Sequence, residues 1–197
     1  MKINITDVKN RLQASAQLKH AMAESTADSI QEAVEKVIHT LRSGGKVLLC
    51  GNGGSAADSQ HIAAELVGKF RLNRKGLPAI ALTTDTSILT SLANDYGYEF
   101  VFQRQVEALG KKGDVLIGIS TSGESMNVAL AMKKAKDMGI STIALIGEKR
   151  GQIADAADIV VSVPSKETPR IQEGHITIGH ILCDLVERYF FEKSTSD

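Results

Sequence analysis

The apolar residues of the chain follow two alternating patterns. Short and almost wholly apolar runs occur at residues 47–50, 78–82, 114–119, 141–146 and 158–163. Such runs are typical of strands that are covered on both faces of a parallel sheet. Between them, apolar residues recur at intervals of three and four, which predicts helices. The sequence therefore predicts an α/β fold of flavodoxin-like type, in which a five-stranded parallel sheet carries helices on both faces.

Two helices are predicted before the first strand. The second has a strong apolar stripe that includes Val34 and Val37. The first has only a thin stripe, formed by Ile5, Val8 and Leu12. A helix with so narrow an apolar face gains little from the core of its own domain. We therefore expect the first helix to pack on another subunit.

The first strand leads into a loop that contains Gly51, Gly53, Gly54 and Ser55. Glycine lets the backbone turn sharply and brings its N–H groups close to a ligand, and the start of the following helix attracts anions. This glycine loop is a candidate cradle for a phosphate or carboxylate group.

A second candidate anion site follows the third strand, where four hydroxyl groups lie close together at Ser120, Thr121, Ser122 and Ser125. Ligands of open parallel sheets bind at the carboxyl ends of the strands, where this Ser/Thr loop and the glycine loop would both lie. Hydroxyl groups and helix N–H groups there can hold a phosphate. The simpler alternative is N-capping of the next helix, which needs only one of the four hydroxyl groups.

Two helices carry side chains that suit acid–base chemistry. His61 and Glu65 stand four positions apart after the glycine loop, so both should project from the helix end nearest that loop. The last helix, for which Thr168 is the predicted cap, carries Gln172 and His180 in its opening turns. The alternative for an isolated pair such as His61 and Glu65 is an ordinary solvated surface.

Composition and charge narrow the possible partners. The 197 residues are 43% hydrophobic, and 23 basic residues balance 23 acidic ones. This length fits one domain, and zero net charge gives no field that favours nucleic acid or an anionic membrane. No apolar run approaches the ~20 residues that span a bilayer, and the N-terminus has no apolar signal core, so we expect a cytoplasmic protein. Cys50 and Cys183 lack a CxxC spacing, which predicts buried thiols.

Neither G-x-G-x-x-G nor the Gly-Lys-Ser/Thr ending of a P-loop is present, so a smaller phosphorylated ligand is favoured. A phosphate grip made mostly of serine and threonine resembles that of the sugar isomerase, or SIS, domain, which binds phosphosugars. Together with His180, five segments are similar in order and spacing to the phosphoheptose isomerase family. They are CGNGGS at 50–55, HIAAEL at 61–66, AND at 93–95, GISTSG at 118–123 and RIQEGH at 170–175.

The resemblance implies one SIS domain over residues 1–197, with N-terminal helices in 1–43 and an α/β core with its last helix in 46–193. It implies an aldose–ketose isomerase that converts D-sedoheptulose 7-phosphate to D-glycero-D-manno-heptose 7-phosphate by proton transfer through an enediol. That reaction begins the synthesis of the ADP-heptose of bacterial lipopolysaccharide. The family also implies a homotetramer with sites at subunit junctions and one zinc ion per subunit.

Carried over position by position, the resemblance assigns roles to individual residues. Glu65 and His180 become the catalytic base and acid. The zinc ligands become His61, Glu65, Gln172 and His180. The substrate contacts become Asn52, Gly53, Gly54, Ser55, Glu65, Asn94, Asp95, Ser120, Thr121, Ser122, Ser125 and Gln172. His175 and residues 164–169 receive no role.

The main alternative is a non-catalytic SIS-domain protein that binds a phosphosugar or a protein partner, as the initiator-binding protein of bacterial replication does. In such proteins we expect the acid and base positions to be lost. A zinc hydrolase has less support because no general base stands apart from the proposed ligands. The sequence leaves open which anomer is made, whether Glu65 and His180 come from one subunit, and whether zinc is catalytic or structural.

Overall fold

Five strands form one sheet in the computed structural model, which describes residues 3–192. The strands are β1 (Val47–Gly51), β2 (Ala79–Ala81), β3 (Val115–Ser120), β4 (Ser141–Ile146) and β5 (Ile159–Ser162). They lie in the order β2-β1-β3-β4-β5, and every neighbouring pair is parallel. Every residue of β1 and β3 is buried, as their apolar runs predict. The predicted α/β fold and its five parallel strands are confirmed.

Eight α-helices surround this sheet within residues 3–192. They are α1 (Ile5–Ser25), α2 (Ala27–Arg42), α3 (Gly54–Val67), α4 (Thr86–Tyr96), α5 (Val101–Leu109), α6 (Met126–Asp137), α7 (Gln152–Asp155) and α8 (Thr168–Phe191). One apolar core joins the sheet to α1, α2, α3 and α8, and a second joins its other face to α4, α5, α6 and α7. Both predicted N-terminal helices are therefore present. Residues 1, 2 and 193–197 of the predicted domain lie outside the described residues.

The first helix has the narrow apolar face that its sequence predicts. Leu18 and Met22 are buried against the rest of the chain, whereas Ile5, Val8 and Leu12 are 67%, 45% and 67% exposed. The N-terminal half of α1 therefore presents apolar side chains that its own chain does not cover.

The start of the last helix differs from the sequence prediction by one residue. Thr168 is the first residue of α8 and Glu167 occupies the cap position, so the predicted cap at Thr168 is wrong by one residue. Pro169 then lies in the first turn, where its missing N–H is harmless because that group has no partner within the helix. At the end of α4, Gly97 follows Tyr96 with a φ of 102°, a backbone conformation that suits glycine.

The direction of chain connection reverses between β1 and β3. From β1 the chain passes to β2 on one side, and it returns to β3 on the other side of β1. In open parallel sheets such a reversal leaves a crevice between the loops at the carboxyl ends of the two strands. The glycine loop follows β1 and the Ser/Thr loop follows β3, so both predicted anion loops border this crevice.

Candidate active site

The glycine loop is held tightly at the start of α3. Gly53 has a φ of 55°, which a residue with a side chain rarely adopts. A Cβ on Gly54 would overlap the side-chain amide of Gln172, which therefore lies directly against the loop backbone. Ser55 is buried in the first turn of α3. Predicted substrate contacts from the glycine loop, α3 and α8 thus meet at one point.

The side chain of Asn52 fixes the glycine loop to neighbouring elements. Its amide nitrogen donates to Asn127 Oδ1 at 2.9 Å, and the Asn127 amide donates back to Asn52 Oδ1 at 2.9 Å. The Tyr98 hydroxyl donates to the same Asn52 oxygen at 3.1 Å. Because Asn127 lies in the first turn of α6, this amide pair ties the glycine loop to the helix that follows the Ser/Thr loop. Neither Asn127 nor Tyr98 is predicted as a site residue from the sequence.

The hydroxyl groups of the Ser/Thr loop gather around Ser120. Ser120 Oγ lies 3.0 Å from Ser125 Oγ and 3.4 Å from Ser122 Oγ. Ser125 is the N-cap residue of α6, yet its side chain makes no capping hydrogen bond. The cluster therefore favours the phosphate interpretation over simple N-capping, since a capping hydroxyl would turn to the helix N–H groups.

A cavity of about 360 Å³ opens beside the Ser/Thr loop. Thr121 and Ser122 form one wall, and Ser165 and Thr168 contribute hydroxyl groups from the other side. Residues 164–169, to which the resemblance gave no role, thus help to enclose the space next to the hydroxyl cluster.

Asn94 and Asp95 are exposed at the end of α4. Asn94 Nδ2 donates to Asp95 Oδ1 at 2.8 Å. Within residues 3–192, no hydrogen bond joins either side chain to the glycine loop or the Ser/Thr loop. These two predicted substrate contacts are therefore not brought to the other site residues by the fold of one chain.

Three of the predicted functional residues meet where α3 and α8 lie side by side. His61 Nε2 is 3.3 Å from His180 Nε2 and 3.3 Å from Glu65 Oε1, so the pair forms part of a cluster instead of an isolated solvated surface. The His61 and Glu65 side chains are 46% and 25% exposed, which leaves the cluster open to a ligand. Glu65 lies in the last turn of α3, so the expected projection from the helix end nearest the glycine loop is wrong for this residue.

Asp58 lies close to His61 and His180, although the sequence pattern does not predict it there. Its Oδ2 atom is buried without a hydrogen-bond partner among the described residues. Burial raises the pKa of Asp58, while the nearby charges of His61 and His180 lower it. An unpaired carboxylate oxygen therefore lies beside the two imidazoles. The sequence feature that could have identified Asp58 is its position one turn before His61 on the same helix face.

The cluster fits zinc in donor type and in two of its spacings. In tetrahedral zinc sites with bonds near 2.1 Å, neighbouring ligand atoms lie about 3.3 to 3.4 Å apart. The distances from His61 Nε2 to His180 Nε2 and to Glu65 Oε1 both agree with this ligand-to-ligand separation. Within residues 3–192, however, no group of three or more His, Cys, Asp or Glu side chains has the arrangement that holds a metal ion. Gln172 makes no hydrogen bond to the cluster in the same part of the chain.

Three further groups are buried outside the cluster. Cys50 and Cys183 are the predicted buried thiols, and burial raises the pKa of each to about 12. His175 is wholly buried on α8, and neither ring nitrogen has a hydrogen-bond partner among residues 3–192. Burial lowers the pKa of His175 to about 4, so this imidazole is neutral near pH 7.

Comparison with known proteins places these features in a family context. Residues 12–147 match the SIS domain family. The phosphoheptose isomerase of Clostridium acetobutylicum is 61% identical over 170 residues, which cover 86% of this chain and 87% of that protein. The phosphoheptose isomerase of Roseiflexus sp. is 55% identical over 186 residues, 94% of each chain.

Solved structures show the same similarity. The phosphoheptose isomerase of Neisseria gonorrhoeae superposes with a TM-score of 0.88 and 44% identity, over 92% of this chain and 97% of that one. The phosphoheptose isomerase of Francisella tularensis gives 0.91 and 37%, over 95% and 100%. None of the helices between residues 3 and 192 combines the length and apolarity that a membrane crossing requires.

Proposed function

The chain belongs to the SIS domain family and within it to the phosphoheptose isomerases, and we propose that it converts D-sedoheptulose 7-phosphate to D-glycero-D-manno-heptose 7-phosphate. The observation that carries this proposal is the meeting of Glu65, His61 and His180 on two helices. One of these helices, α3, follows the glycine loop, and the other, α8, places Gln172 against that loop. An enzyme that isomerises a phosphosugar needs both a binding site for the phosphate and acid–base groups at the carbonyl end of the sugar.

The reaction moves a carbonyl from C2 to C1. We assign Glu65 as the base that removes a proton from C1 of the ketose, which gives an enediol, and that returns a proton to C2. His180 moves the protons of the O1 and O2 oxygens. Positioned acid and base groups of this kind each contribute about 10²- to 10⁴-fold in rate. The net result is isomerisation without loss or gain of atoms.

The substrate phosphate is assigned to the Ser/Thr loop and the glycine loop. Hydroxyl groups of Ser120, Ser122 and Ser125 already face one another at hydrogen-bonding distance, so they need little rearrangement to surround an anion. Ser55 and the N–H groups at the start of α3 lie across the crevice. Asn94 and Asp95 are proposed to contact substrate from an adjacent subunit, since one chain leaves them apart from the loops.

Zinc is proposed as the cofactor, held by His61, Glu65 and His180 with Gln172 as a fourth ligand. A bound zinc ion would act as a Lewis acid on the substrate oxygens. Elemental analysis of protein purified without added metal should find about one zinc per chain, the ratio of a single mononuclear site. Absence of zinc together with full activity in a chelator would contradict the assignment and leave Glu65 and His180 as base and acid alone.

A homotetramer is proposed for the assembled protein. Ile5, Val8 and Leu12 are exposed on α1, and an apolar groove of about 480 Å³ runs between α1, α2 and α8. A second copy of the chain can cover both. Light scattering should give four chains per particle, and an active monomer at micromolar concentration would contradict the proposal. A cytoplasmic location is likewise proposed.

The alternative of a non-catalytic SIS-domain protein has weaker support. It would need neither Glu65 nor His180, yet both are present and lie in one cluster with His61. Direct assay separates the two functions. Purified protein incubated with sedoheptulose 7-phosphate should form the aldose, and binding of the phosphosugar without turnover would favour the non-catalytic alternative.

A further inference from the structure

A buried ion pair lies at the far end of the contact between α3 and α8. The side chains of Arg74 and Glu187 are each 2% exposed, and Arg74 Nε donates to Glu187 Oε2 at 2.8 Å. Glu187 stands about two turns after His180 on α8. Arg74 belongs to the segment between α3 and β2. The proposed reaction uses neither residue.

The Arg74 guanidinium closes the C-terminal end of α3. Nη2 donates to the backbone carbonyl of Glu65 at 2.9 Å, and Nη1 donates to the carbonyl of Leu66 at 2.7 Å. The last carbonyl groups of a helix have no partner within the helix, and these bonds satisfy two of them. The Leu66 carbonyl also accepts the N–H group of Leu77 at 3.0 Å. The backbone of the proposed catalytic base is therefore held directly by Arg74.

The Glu187 carboxylate holds the chain that leaves α3. It accepts the N–H groups of Phe70 at 2.9 Å, Arg71 at 2.7 Å and Leu72 at 2.8 Å, in addition to the Arg74 bond. Four donors thus converge on one side chain of α8. The end of α3 is attached to α8 through charged and hydrogen-bonded groups that are shielded from water.

We propose that Arg74 and Glu187 are positioning residues that set the distance between Glu65 and His180. This proposal rests on the proposed isomerase function, because that function gives the distance its purpose. Loss of the pair would free the last turn of α3, which carries Glu65, while the phosphate loops remain fixed on β1 and β3. We therefore expect a loss in kcat with little change in KM, since a misplacement of about 1 Å can slow a reaction by about 100-fold.

The test compares two isosteric substitutions. Glu187→Gln removes the charge that organises the pair. Asp114→Asn is the matched control, because Asp114 is also a buried carboxylate that accepts two backbone N–H groups, from Lys46 and Lys111, and pairs with the Lys46 side chain. Asp114 precedes β3, so it lies at the amino ends of the strands, opposite the carboxyl ends that carry the glycine loop and the Ser/Thr loop.

Activity is measured per folded molecule, at a temperature where calorimetry shows both variants fully folded. Glu187→Gln should lower kcat by at least about tenfold and leave KM within about twofold, whereas Asp114→Asn should lose thermal stability but keep kcat within about twofold. Equal kcat values in the two variants, or a rise in KM alone for Glu187→Gln, would overturn the proposal.

A second variant and a structural measurement complete the test. Arg74→Lys keeps the charge but lacks the fork that reaches two carbonyl groups, so it should show an intermediate loss of kcat even where Glu187→Gln fails to fold. In a crystal structure of either variant, the separation between the Glu65 carboxylate and the His180 imidazole should be larger than in the wild type. An unchanged separation would overturn the proposal. If the wild type does not turn over the substrate, the proposed function fails while the crystal structure still decides the positioning role.

Discussion

The polar side chains of the candidate site are held in fixed orientations by neighbouring polar side chains. Ser120 faces Ser125, Asn52 is engaged by Asn127, and His61 lies between Glu65 and His180. Fixed directions of this kind reduce the rearrangement that substrate binding requires. The hydroxyl cluster is the clearest case, because the Ser122 and Ser125 hydroxyl groups both lie within hydrogen-bonding distance of Ser120 Oγ.

Removing two hydroxyl groups should weaken the grip on phosphate. The double substitution Ser120→Ala and Thr121→Ala is expected to raise KM by a factor that corresponds to about 1 to 3 kcal/mol, the typical loss for hydrogen bonds to a charged group. Ser91→Ala on the exposed face of α4 serves as the control. Steady-state kinetics and thermal denaturation provide the measurement. An unchanged KM in a folded double variant would show that the Ser/Thr loop only caps α6 and does not bind the phosphate.

At the scale of elements, α3 and α8 run side by side in the same direction and bring the cluster together. Gly179 allows their close approach, because a Cβ there would lie 2.7 Å from the side chain of Ile62. Gly174 on the same helix allows an equally close approach to Val163 of the chain after β5. The two glycines therefore provide matched positions that face different neighbours.

Gly179→Ala should push α8 away from α3 and separate His180 from His61. We expect kcat to fall by about tenfold or more. Gly174→Ala should disturb packing near β5 and have a smaller effect on kcat. Both changes favour the helix by about 1 kcal/mol, so helix content should be retained in each. Kinetics and circular dichroism check this, and equal kcat values for the two variants would show that the α3–α8 distance does not control turnover.

The sequence predicted the strands well because a parallel strand that is covered on both faces is apolar throughout. It also predicted that the glycine loop and the Ser/Thr loop lie at the same end of the sheet, since the carboxyl ends of all parallel strands point to that end. It could not predict pairs that join distant parts of the chain. Asn52 and Asn127 are 75 residues apart, and Arg74 and Glu187 are 113 residues apart. Only the packing of whole elements determines which of many polar side chains meet.

At the scale of the whole molecule, two buried groups link folding to pH. Burial lowers the pKa of His175 from 6.5 to about 4. Burial raises the pKa of Glu187, but the N–H groups of residues 70–72 and the Arg74 side chain outweigh it and lower that pKa from 4.5 to about 2. Both folded-state pKa values lie below the ordinary values, so the unfolded chain binds more protons in each interval and stability falls as pH falls.

Acid should therefore destabilise the protein in two stages. The contribution of His175 is present above pH 6.5 and is lost towards pH 4, and that of Glu187 is present above pH 4.5 and is lost towards pH 2. Calorimetry across this range measures Tm. His175→Phe should flatten the first stage, and Glu187→Gln should flatten the second. A wild-type dependence of Tm on pH in both variants would contradict this assignment.

The isomerisation by Glu65 is tested most directly by turnover in deuterium oxide with analysis of the aldose product. The wild-type enzyme should place deuterium at C2, because the proton on Glu65 can exchange with solvent while the enediol exists. Glu65→Gln should be slower by about 10²- to 10⁴-fold, the usual loss of a positioned base. Product that forms at the wild-type rate in Glu65→Gln, with hydrogen passed from C1 to C2 without any solvent label, would contradict the proton-transfer mechanism.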